Sequence, residues 1–335
     1  MSSQSLVSVV IPTFNRFKQT ISAIESVLAQ TYPNIEIIVV DDGSKNGSDL
    51  EIQRYIDQRA NEGLQVFFVG QPNQGASVAR NTGILKARGE YVAFLDSDDC
   101  WVAEKLEYQM QAIDRFKNEC GVCFTDARLV NNTGLDISSF EAHKRNYHHV
   151  MGVDRDASKS LAASFSGFWV SSLLVRADIA RKVGGFSPDI SFVEDRDFHF
   201  RLSLVTGIAY VNKQLIRTDR TPSPAGSNIR PWDKVEVQFR QQEYMLKKWL
   251  RMDPALPPEL HKIVERTLGA LYSHWANWYL ENGCYDEARE AVSHAVEHKV
   301  ALGTTVKWAL TWLSPALARK VAPKTRPLGT GGHAS

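Results

Sequence analysis

Short, wholly apolar runs alternate with segments of helical periodicity near the start of the chain, and no other feature constrains the fold as strongly. The apolar runs predict strands at residues 7–11, 35–40, 64–69 and 91–95. Helices are predicted between them at residues 21–28, 49–59 and 76–87. This alternation indicates βαβ units, and strands that are apolar throughout indicate helices on both faces of the sheet. We therefore predict an α/β fold with a mostly parallel central sheet.

Polar residues follow three of these strands at the point where each strand ends. Pro12-Thr13 follow the first strand, Asp41-Asp42 the second, and Asp96-Ser97-Asp98-Asp99 the fourth. Ligands of open α/β sheets bind outside the carboxyl ends of the strands. The sequence therefore predicts a functional site at this edge of the sheet.

The acidic cluster at residues 96–99 places three carboxylates within four residues. Buried and ionised together, these carboxylates would repel one another unless a cation balanced them. A hard ion such as Mg²⁺ or Mn²⁺ prefers oxygen ligands and leaves room for phosphate oxygens. A site for a metal and a diphosphate is the favoured interpretation, and a solvated acidic turn is the alternative.

Two further acidic pairs have both a functional and a structural interpretation. A carboxylate of Asp41 or Asp42 can accept a hydrogen bond from the imide of uracil, or it can form an Asp-Gly turn. Glu194-Asp195 precedes a predicted helix at residues 194–204. A carboxylate there can take the proton from an acceptor hydroxyl as a general base, or it can be a first-turn acid of the helix.

The second part of the chain follows a different pattern. Residues 125–165 are predicted to form a mobile surface loop, and residues 168–175 a strand. A stretch rich in proline at residues 221–231 indicates a linker before an all-helical region. We predict an α/β domain over residues 1–225, an α-helical region over residues 226–321 and a flexible tail over residues 322–335.

The predicted helical region contains two segments of interest. Residues 275–298 resemble one tetratricopeptide hairpin, although such repeats usually need neighbours to bury their faces. Residues 302–321 form an amphipathic stripe flanked by tryptophan and basic residues. Such a helix can dock on an anionic membrane surface or pack on the protein itself, and both alternatives stay open.

Composition excludes several classes of protein. The 335 residues include 39 Lys plus Arg and 38 Asp plus Glu, with a formal net charge of +1. This balance gives no broad basic face, so no nucleic-acid partner is predicted. No signal-peptide pattern is seen at Met1–Ser5, and no apolar run reaches the roughly 18–20 residues that cross a bilayer. The expected location is the cytoplasm, at the inner face of the membrane if residues 302–321 dock there.

Six short motifs occur in a fixed order along the chain. They are VSVVIPTFN at 7–15, IVVDDGS at 38–44, NQGASVARN at 73–81, FLDSDD at 94–99, VGGF at 183–186 and EDRD at 194–197. Each motif is weak by itself, but the ordered set is highly specific. Over about residues 6–220 the chain resembles a family 2 glycosyltransferase with the GT-A fold.

The resemblance implies transfer, with inversion, of a hexosyl or N-acetylhexosaminyl group from a nucleoside-diphosphate donor to an acceptor hydroxyl. A UDP-sugar is the favoured donor, and a glycan or glycolipid of surface polysaccharide assembly is the implied acceptor. The implied nucleotide-binding residues are Pro12, Thr13, Asp42, Asn73, Arg80, Asn81 and Asp96. Pro12 and Thr13 would contact the nucleoside, Asp42 the base, and Asp96 the ribose or the metal.

The resemblance also implies a divalent metal, Mn²⁺ or Mg²⁺, with Asp98 as its principal ligand, and Asp195 as the catalytic base. One departure concerns the metal. Many members carry Arg-x-His after a later strand, whereas this chain has Arg217-Thr218-Asp219. Either Asp219 is a metal ligand or this third contact is missing. The sequence predicts no oligomeric state, and the specificity for sugar and acceptor is expected in residues 125–192.

Four rival classes of protein compete with this prediction. A nucleotidyltransferase usually begins with a glycine-rich phosphate loop, and a Rossmann dehydrogenase requires G-x-G-x-x-G after the first strand. The first strand here ends in Pro12-Thr13-Phe14-Asn15 instead. A phospho-receiver domain would carry its acidic pair after the first strand. An inactive sugar-nucleotide-binding scaffold with a helical interaction tail is the alternative that stays open.

Overall fold

A computed structural model describes residues 4–59, 65–131, 134–164, 168–219, 235–252 and 254–298. For Asp219 only the backbone is described. The chain divides into two compact units, of which the first comprises Met1–Ala157 with Gly167–Ile229 and the second Ser158–Ser166 with Arg230–Ser335. The predicted linker at 221–231, the amphipathic segment at 302–321 and the tail at 322–335 lie outside the described residues.

The first half of the first unit is built from βα repeats, as the alternation predicts. Its strands are β1 (Val7–Thr13), β2 (Ile35–Asp41), β3 (Val66–Gly70) and β4 (Tyr91–Phe94). Its helices are α1 (Phe17–Leu28), α2 (Ser48–Arg59) and α3 (Ala76–Lys86). The four strands are parallel and lie in the order β3-β2-β1-β4. Strands β1 and β4 are buried throughout, because helices and the rest of the sheet cover them.

The second half of the first unit continues the same sheet in mixed orientation. Its elements are β5 (Asp99–Trp101), α4 (Lys105–Phe116), β6 (Cys120–Val130), β7 (Asp136–Ser138), α5 (Ser139–Ala142), β8 (Met151–Asp154), β9 (Leu174–Arg176), α7 (Ala177–Lys182), α8 (Glu194–Ser203) and β10 (Gly207–Asp219). Helix α6 (Ala157–Ala163) follows β8 in the chain and, except for Ala157, belongs to the second unit. The strand order continues as β4-β9-β6-β10-β5. Strand β9 is antiparallel to both β4 and β6, whereas β6 and β10 are parallel. The parallel arrangement therefore holds for the N-terminal half and gives way to mixed pairing beyond β4.

The prediction of a surface loop over residues 125–165 was wrong. Strand β6 runs on to Val130, and β7, α5, β8 and α6 follow it. The residues of β6 beyond 125 pair with β10 on one side and with β7 on the other. Buried Asp126 accepts hydrogen bonds from the hydroxyls of Ser138 and Ser139 and from the backbone N–H of Phe140. Tertiary pairing and this capping carboxylate stabilise a segment whose polar composition suggests a loop.

The strand predicted over residues 168–175 was also largely wrong. Residues Val170–Ser172 form a turn of 3₁₀ helix, and only Leu174–Arg176 belong to the sheet. The backbone N–H of Ser172 and its hydroxyl both donate to the carbonyl of Trp169, which closes this turn. The apolar composition of the segment reflects burial in a turn rather than strand pairing.

Close packing of α3 on β1 positions the functional edge of the sheet. A Cβ atom at Gly83 of α3 would lie 2.2 Å from Cγ1 of Val10 on β1. A glycine is therefore required for the backbone of α3 to approach this strand. This approach brings Arg80, one turn earlier on α3, to the carboxyl ends of β1 and β4.

The second unit contains the helices that the C-terminal sequence predicts. They are α9 (Val235–Leu250), α10 (Pro258–Glu281) and α11 (Tyr285–Glu297). Gly283, with φ of +77°, forms the turn between α10 and α11. Within this unit, the hydroxyl of Thr267 on α10 donates to the carbonyl of Ala162 on α6 at 2.8 Å. Among the described helices, none is long and apolar enough to cross a bilayer. The resemblance to a tetratricopeptide unit stays a prediction.

Candidate active site

The polar residues predicted at the sheet edge lie at the ends of neighbouring strands. Thr13 and Asp41 are register partners at the ends of β1 and β2. The backbone N–H of Asp42 donates to the carbonyl of Thr13 at 2.9 Å, which keeps the two chain segments together past the strands. The acidic turn at residues 96–99 follows β4, which is paired with the other side of β1.

The carboxylates of Asp41 and Asp42 both accept hydrogen bonds from nearby loops. Asp41 accepts from the N–H groups of Gly43 and Ser44, at 3.1 and 2.9 Å. Asp42 accepts from Nε2 of Gln71 at 2.7 Å and from the N–H groups of residues 74 and 75. Asp42 therefore orders the loop before α3. Two of these bonds go to Oδ1 and one to Oδ2, so Oδ2 keeps a lone pair that can accept a further donor such as the imide of a base.

Pro12, Thr13 and Asn73 differ in how they are presented to a ligand. Pro12 and Thr13 are buried at the end of β1. The Thr13 hydroxyl lies 2.7 Å from that of Thr20 on α1, so its hydrogen bond is directed into the protein. Asn73 is exposed in the loop that Asp42 holds. These positions leave Asn73 as the accessible side chain of the three.

Asp96 and Asp98 are each paired with an arginine. Their side chains are 34% and 32% exposed. Asp96 Oδ1 lies 2.7 Å from a guanidinium nitrogen of Arg80, and Asp98 Oδ2 lies 2.9 Å from a guanidinium nitrogen of Arg16. The turn therefore carries its negative charge next to two cationic side chains, which reduces the repulsion between the carboxylates.

Asp99, the third carboxylate of the turn, is buried instead. Burial raises its pKa to about 7, and the charges of Asp96 and Asp98 act in the same direction. Its Oδ2 accepts a hydrogen bond of 2.5 Å from the hydroxyl of Ser171. Asp99 is therefore a structural member of the turn rather than an exposed ligand.

Ser171 supports the acidic turn through three contacts, and sequence reasoning missed it. Its hydroxyl donates to Asp99 and accepts from the backbone N–H of Asp96 at 3.0 Å. Its carbonyl accepts from Nε1 of Trp101 at 2.9 Å. No local pattern marks this serine, because its role depends on the 3₁₀ turn packing beside the end of β4.

Arg80 joins the acidic turn to the start of α8. Its guanidinium is 2.7 Å from Asp96 and 3.3 Å from Oε1 of Glu194. Burial alone would lower the pKa of Arg80, but the charges of these two carboxylates raise it above its ordinary value. The guanidinium also lies 5.1 Å from the centre of the Phe186 ring. In this structure Arg80 therefore bridges two acidic motifs that are far apart in the sequence.

Asp195 lies in the first turn of α8, half-buried beside Glu194. Burial raises its pKa to about 7, helped by the charge of Glu194 and opposed by that of Arg80. Its Oδ1 accepts the N–H of Arg196 at 2.6 Å. A carboxylate whose pKa lies near neutrality is suited to accept and release a proton at physiological pH.

The glycine turn at residues 183–186 has a structural role beside α8, because its backbone groups are held by side chains of Arg201 and Asn81. Arg201 donates to the carbonyls of Val183 and Gly185 at 2.6 and 2.7 Å. Asn81 donates to the carbonyl of Phe186 and accepts from its N–H, each at 2.8 Å. Both ends of the Asn81 amide are thus used for the turn, which places this predicted donor-site residue in a structural role.

Buried Asp197 completes the support for this turn. Its Oδ2 accepts from two guanidinium nitrogens of Arg201, at 2.9 and 2.7 Å, and from the hydroxyl of Ser187. The motif EDRD therefore combines a half-buried pair, Glu194 and Asp195, with a fully buried carboxylate that anchors α8.

The acidic turn fits a hard divalent cation by the chemistry of its donors. Asp96 and Asp98 offer partly exposed carboxylate oxygens, and Mg²⁺ is usually held by one or two carboxylates together with substrate phosphates. No group of three metal-ligating side chains is assembled within the described part of the chain. The backbone of Asp219 follows Thr218, the register partner of Asp99, but its side chain lies outside the described part.

Comparison with known proteins identifies the family. Residues 8–174 match the family described as Glycosyl transferase family 2. The chain belongs to this family. The matched region contains the ends of β1, β2 and β4 and the acidic turn, and it stops before Asp195.

Curated relatives of this glycosyltransferase family 2 chain match it over part of its length. The putative teichuronic acid biosynthesis glycosyltransferase TuaG of Bacillus subtilis is 38% identical over 135 residues, covering 40% of this chain and 52% of that protein. The UDP-Glc:alpha-D-GlcNAc-diphosphoundecaprenol beta-1,3-glucosyltransferase WfgD of Escherichia coli is 37% identical over 141 residues, covering 42% of this chain and 52% of that protein. The uncharacterized glycosyltransferase RT0329 of Rickettsia typhi is 28% identical over 213 residues, covering 64% of this chain and 63% of that protein. The chain thus spans less than two thirds of each relative.

Solved structures share the fold over nearly the whole chain. Residues 1–349 of TarS from S. aureus, in complex with UDP-GlcNAc, align with a TM-score of 0.64 and 18% identity, covering 95% of this chain and 90% of that one. The mannosyltransferase PcManGT from Pyrobaculum calidifontis, in complex with GDP-Man and Mn²⁺, aligns with a TM-score of 0.56 and 17% identity, covering 96% and 86%. The predicted GT-A fold with C-terminal helices is confirmed.

Proposed function

We propose that this protein transfers a sugar, with inversion, from a nucleoside-diphosphate donor to an acceptor hydroxyl. The observation that carries the proposal is the position of Asp195. It is half-buried with a pKa near 7, beside Glu194, which Arg80 joins to the acidic turn. Through Glu194 and Arg80, Asp195 is therefore connected to the acidic turn at residues 96–99, where the sugar donor is proposed to bind.

Asp195 acts as the general base in the proposed reaction. Its carboxylate takes the proton of the acceptor hydroxyl as that oxygen forms a bond to the anomeric carbon. The bond from the anomeric carbon to the donor diphosphate breaks, and its electron pair leaves with the diphosphate oxygen. Attack from the side opposite the leaving group inverts the configuration at this carbon.

Asp98 and Asp96 are the residues that would hold Mn²⁺ or Mg²⁺, with Asp219 as a further candidate ligand. The bound ion would offset the charge of the departing diphosphate. Arg80 fixes the orientation of Asp96 and Glu194 by bridging them, and Ser171 fixes the backbone of the turn. These contacts preorganise the turn before the donor binds, which is the main contribution a protein makes to such a site.

A UDP-sugar donor is supported by two of the comparisons. The TarS structure contains UDP-GlcNAc, and WfgD is named for a UDP-Glc donor. The names of WfgD and TuaG, which refer to a diphosphoundecaprenol and to teichuronic acid, support a glycan or glycolipid acceptor. We further propose that the transferred sugar is a hexosyl or N-acetylhexosaminyl group. The proposed location is the cytoplasm, with a membrane contact through residues 302–321.

Titration of the purified protein with UDP in the presence of Mn²⁺ tests the donor half of the proposal. Asp98→Ala is expected to weaken UDP binding about tenfold or more, because even residues that only support a metal ligand are worth about 10–100-fold in metal affinity. Asp178→Ala, which removes a surface carboxylate also paired with an arginine, is the matched control and should bind UDP like the wild type. A wild type that binds none of a panel of nucleoside diphosphates and nucleotide sugars would refute the proposed function.

The dependence of the reaction on pH tests the base. We expect kcat/KM to rise as pH increases through about 7 and then to level off, because Asp195 must be ionised to accept a proton and its pKa is raised to about 7. Because the Arg80 charge lowers this pKa, Arg80→Gln should move the midpoint to higher pH. A midpoint near the ordinary aspartate value of about 4 would contradict the assignment.

A further inference from the structure

Arg16 is held beside the acidic turn by the connection between β1 and α1. Asn15, with φ of +56°, donates its N–H to the Ser44 hydroxyl, and its Oδ1 accepts the N–H of Lys45. The Arg16 carbonyl accepts from both the N–H and the hydroxyl of Thr20. The backbone of Arg16 is therefore fixed on both sides, and its guanidinium reaches Asp98 from a defined position.

The three carboxylates of the acidic turn differ in how firmly they are held. Asp99 is buried against Ser171, and Asp96 is paired with buried Arg80, which is shared with Glu194. Among the described residues, Asp98 pairs with Arg16, whose side chain is 25% exposed, at 2.9 Å. A partly exposed pair of this kind is weak and can be broken without leaving a buried charge.

We infer that Arg16 is the internal counter-ion of Asp98 in the donor-free protein and competes with the divalent cation for that carboxylate. The inference rests on the proposed function, since it concerns the same acidic turn. A guanidinium and a divalent ion close to one carboxylate repel each other, so the ion binds Asp98 in full only when Arg16 withdraws. The planar guanidinium of Arg16 can then bind the donor diphosphate, since arginine recognises phosphate oxygens with two parallel donors.

Arg16 is thus a positioning residue that lowers metal affinity until the donor is present. It keeps the carboxylate of Asp98 neutralised and oriented in the empty site, and it disfavours a tightly bound ion in the absence of nucleotide. A residue whose role is only to support the fold would have the opposite effect, because its loss would disorder the turn and weaken metal binding.

The test is the affinity of the full-length protein for Mn²⁺ without nucleotide, measured from the electron paramagnetic resonance signal of free Mn²⁺. Arg16→Gln is expected to lower the Kd about two- to fivefold, the range expected for loss of a competing, partly exposed ion pair. Lys18→Gln removes the same charge from an exposed position two residues away and should leave the Kd unchanged. In an Asp98→Asn background the effect of Arg16→Gln should disappear.

The outcomes separate this inference from the proposed function. An unchanged or higher Kd in Arg16→Gln, with UDP binding intact in the wild type, would overturn the competition and leave the proposed function standing. The same gain in Lys18→Gln would also overturn it, since net charge alone would then explain the result. A wild type that binds neither UDP nor Mn²⁺ would refute the proposed function and this inference together.

Discussion

Asp195→Asn is expected to lower the rate of sugar transfer by about 10²–10⁴, the usual contribution of a general base. The amide retains the size of the side chain and can still accept the N–H of Arg196, so the start of α8 should keep its conformation. It cannot take a proton from the acceptor hydroxyl. The measurement is kcat with a saturating donor, together with the Kd for UDP, which should stay close to that of the wild type.

Glu194→Gln is the informative control because it changes the neighbouring carboxylate. The charge of Glu194 raises the pKa of Asp195, so its loss should shift the rising limb of the pH profile to lower pH. The enzyme should remain active, since Glu194 is committed to Arg80. If Glu194→Gln abolishes transfer and Asp195→Asn does not, the two roles are reversed and the assignment of the base is wrong.

Arg201→Met is expected to lower the free energy of unfolding of the first unit by about 3–5 kcal/mol, the range for breaking a buried ion pair on one side. Asp197 is 0% exposed and would lose the guanidinium that balances its buried charge. The carbonyls of Val183 and Gly185 would lose their guanidinium donors at the same time. The measurement is urea unfolding, with fluorescence and circular dichroism followed separately, because two units need not unfold in one transition.

Arg176→Met provides the matched control for this destabilisation. Arg176 pairs with Asp178 on the surface, where such a pair contributes up to about 1 kcal/mol. The double variant Arg201→Met with Asp197→Leu should recover part of the loss, because apolar replacement of both partners removes the buried charge. A loss in Arg201→Met no larger than in Arg176→Met would show that Asp197 is not dependent on its partner.

The parallel half of the sheet and its functional edge could be predicted from the sequence. Strands β1 to β4 are encoded by short apolar runs. Strands β1 and β4 are buried throughout and β2 nearly so, as expected for strands covered on both faces, whereas β3 lies at the edge of the sheet and is partly exposed. Their carboxyl ends meet at one edge, so the strand pattern alone places Thr13, Asp42 and the 96–99 turn together. The ordered motifs identified the family for a similar reason, because five of the six lie at a strand end or a helix start and the sixth, at 183–186, forms the turn after α7.

Strand β6 marks where sequence patterns stopped being informative. It continues through polar Asp126 and Arg128, whose neighbours in the sheet belong to β7 and β10. Strand propensity depends on these cross-strand neighbours and on burial, so a polar run with the right partners forms a strand. The amphipathic segment 302–321 lies outside the described residues, and its role stays a prediction.

The sequence by itself determined the strands of the parallel half, the edge of the sheet where their carboxyl ends meet and the identities of the acidic side chains there. The tertiary structure alone decided which side chains pair: Arg16 with Asp98, Arg80 with Asp96 and Glu194, and the hydroxyl of Ser171 with Asp99. The physical reason is range. Apolar periodicity reports only on the helix or strand that contains it. These contacts instead join residues far apart in the chain, such as Arg80 and Glu194, which are 114 residues apart. Only the packing of the whole sheet brings them within hydrogen-bonding distance.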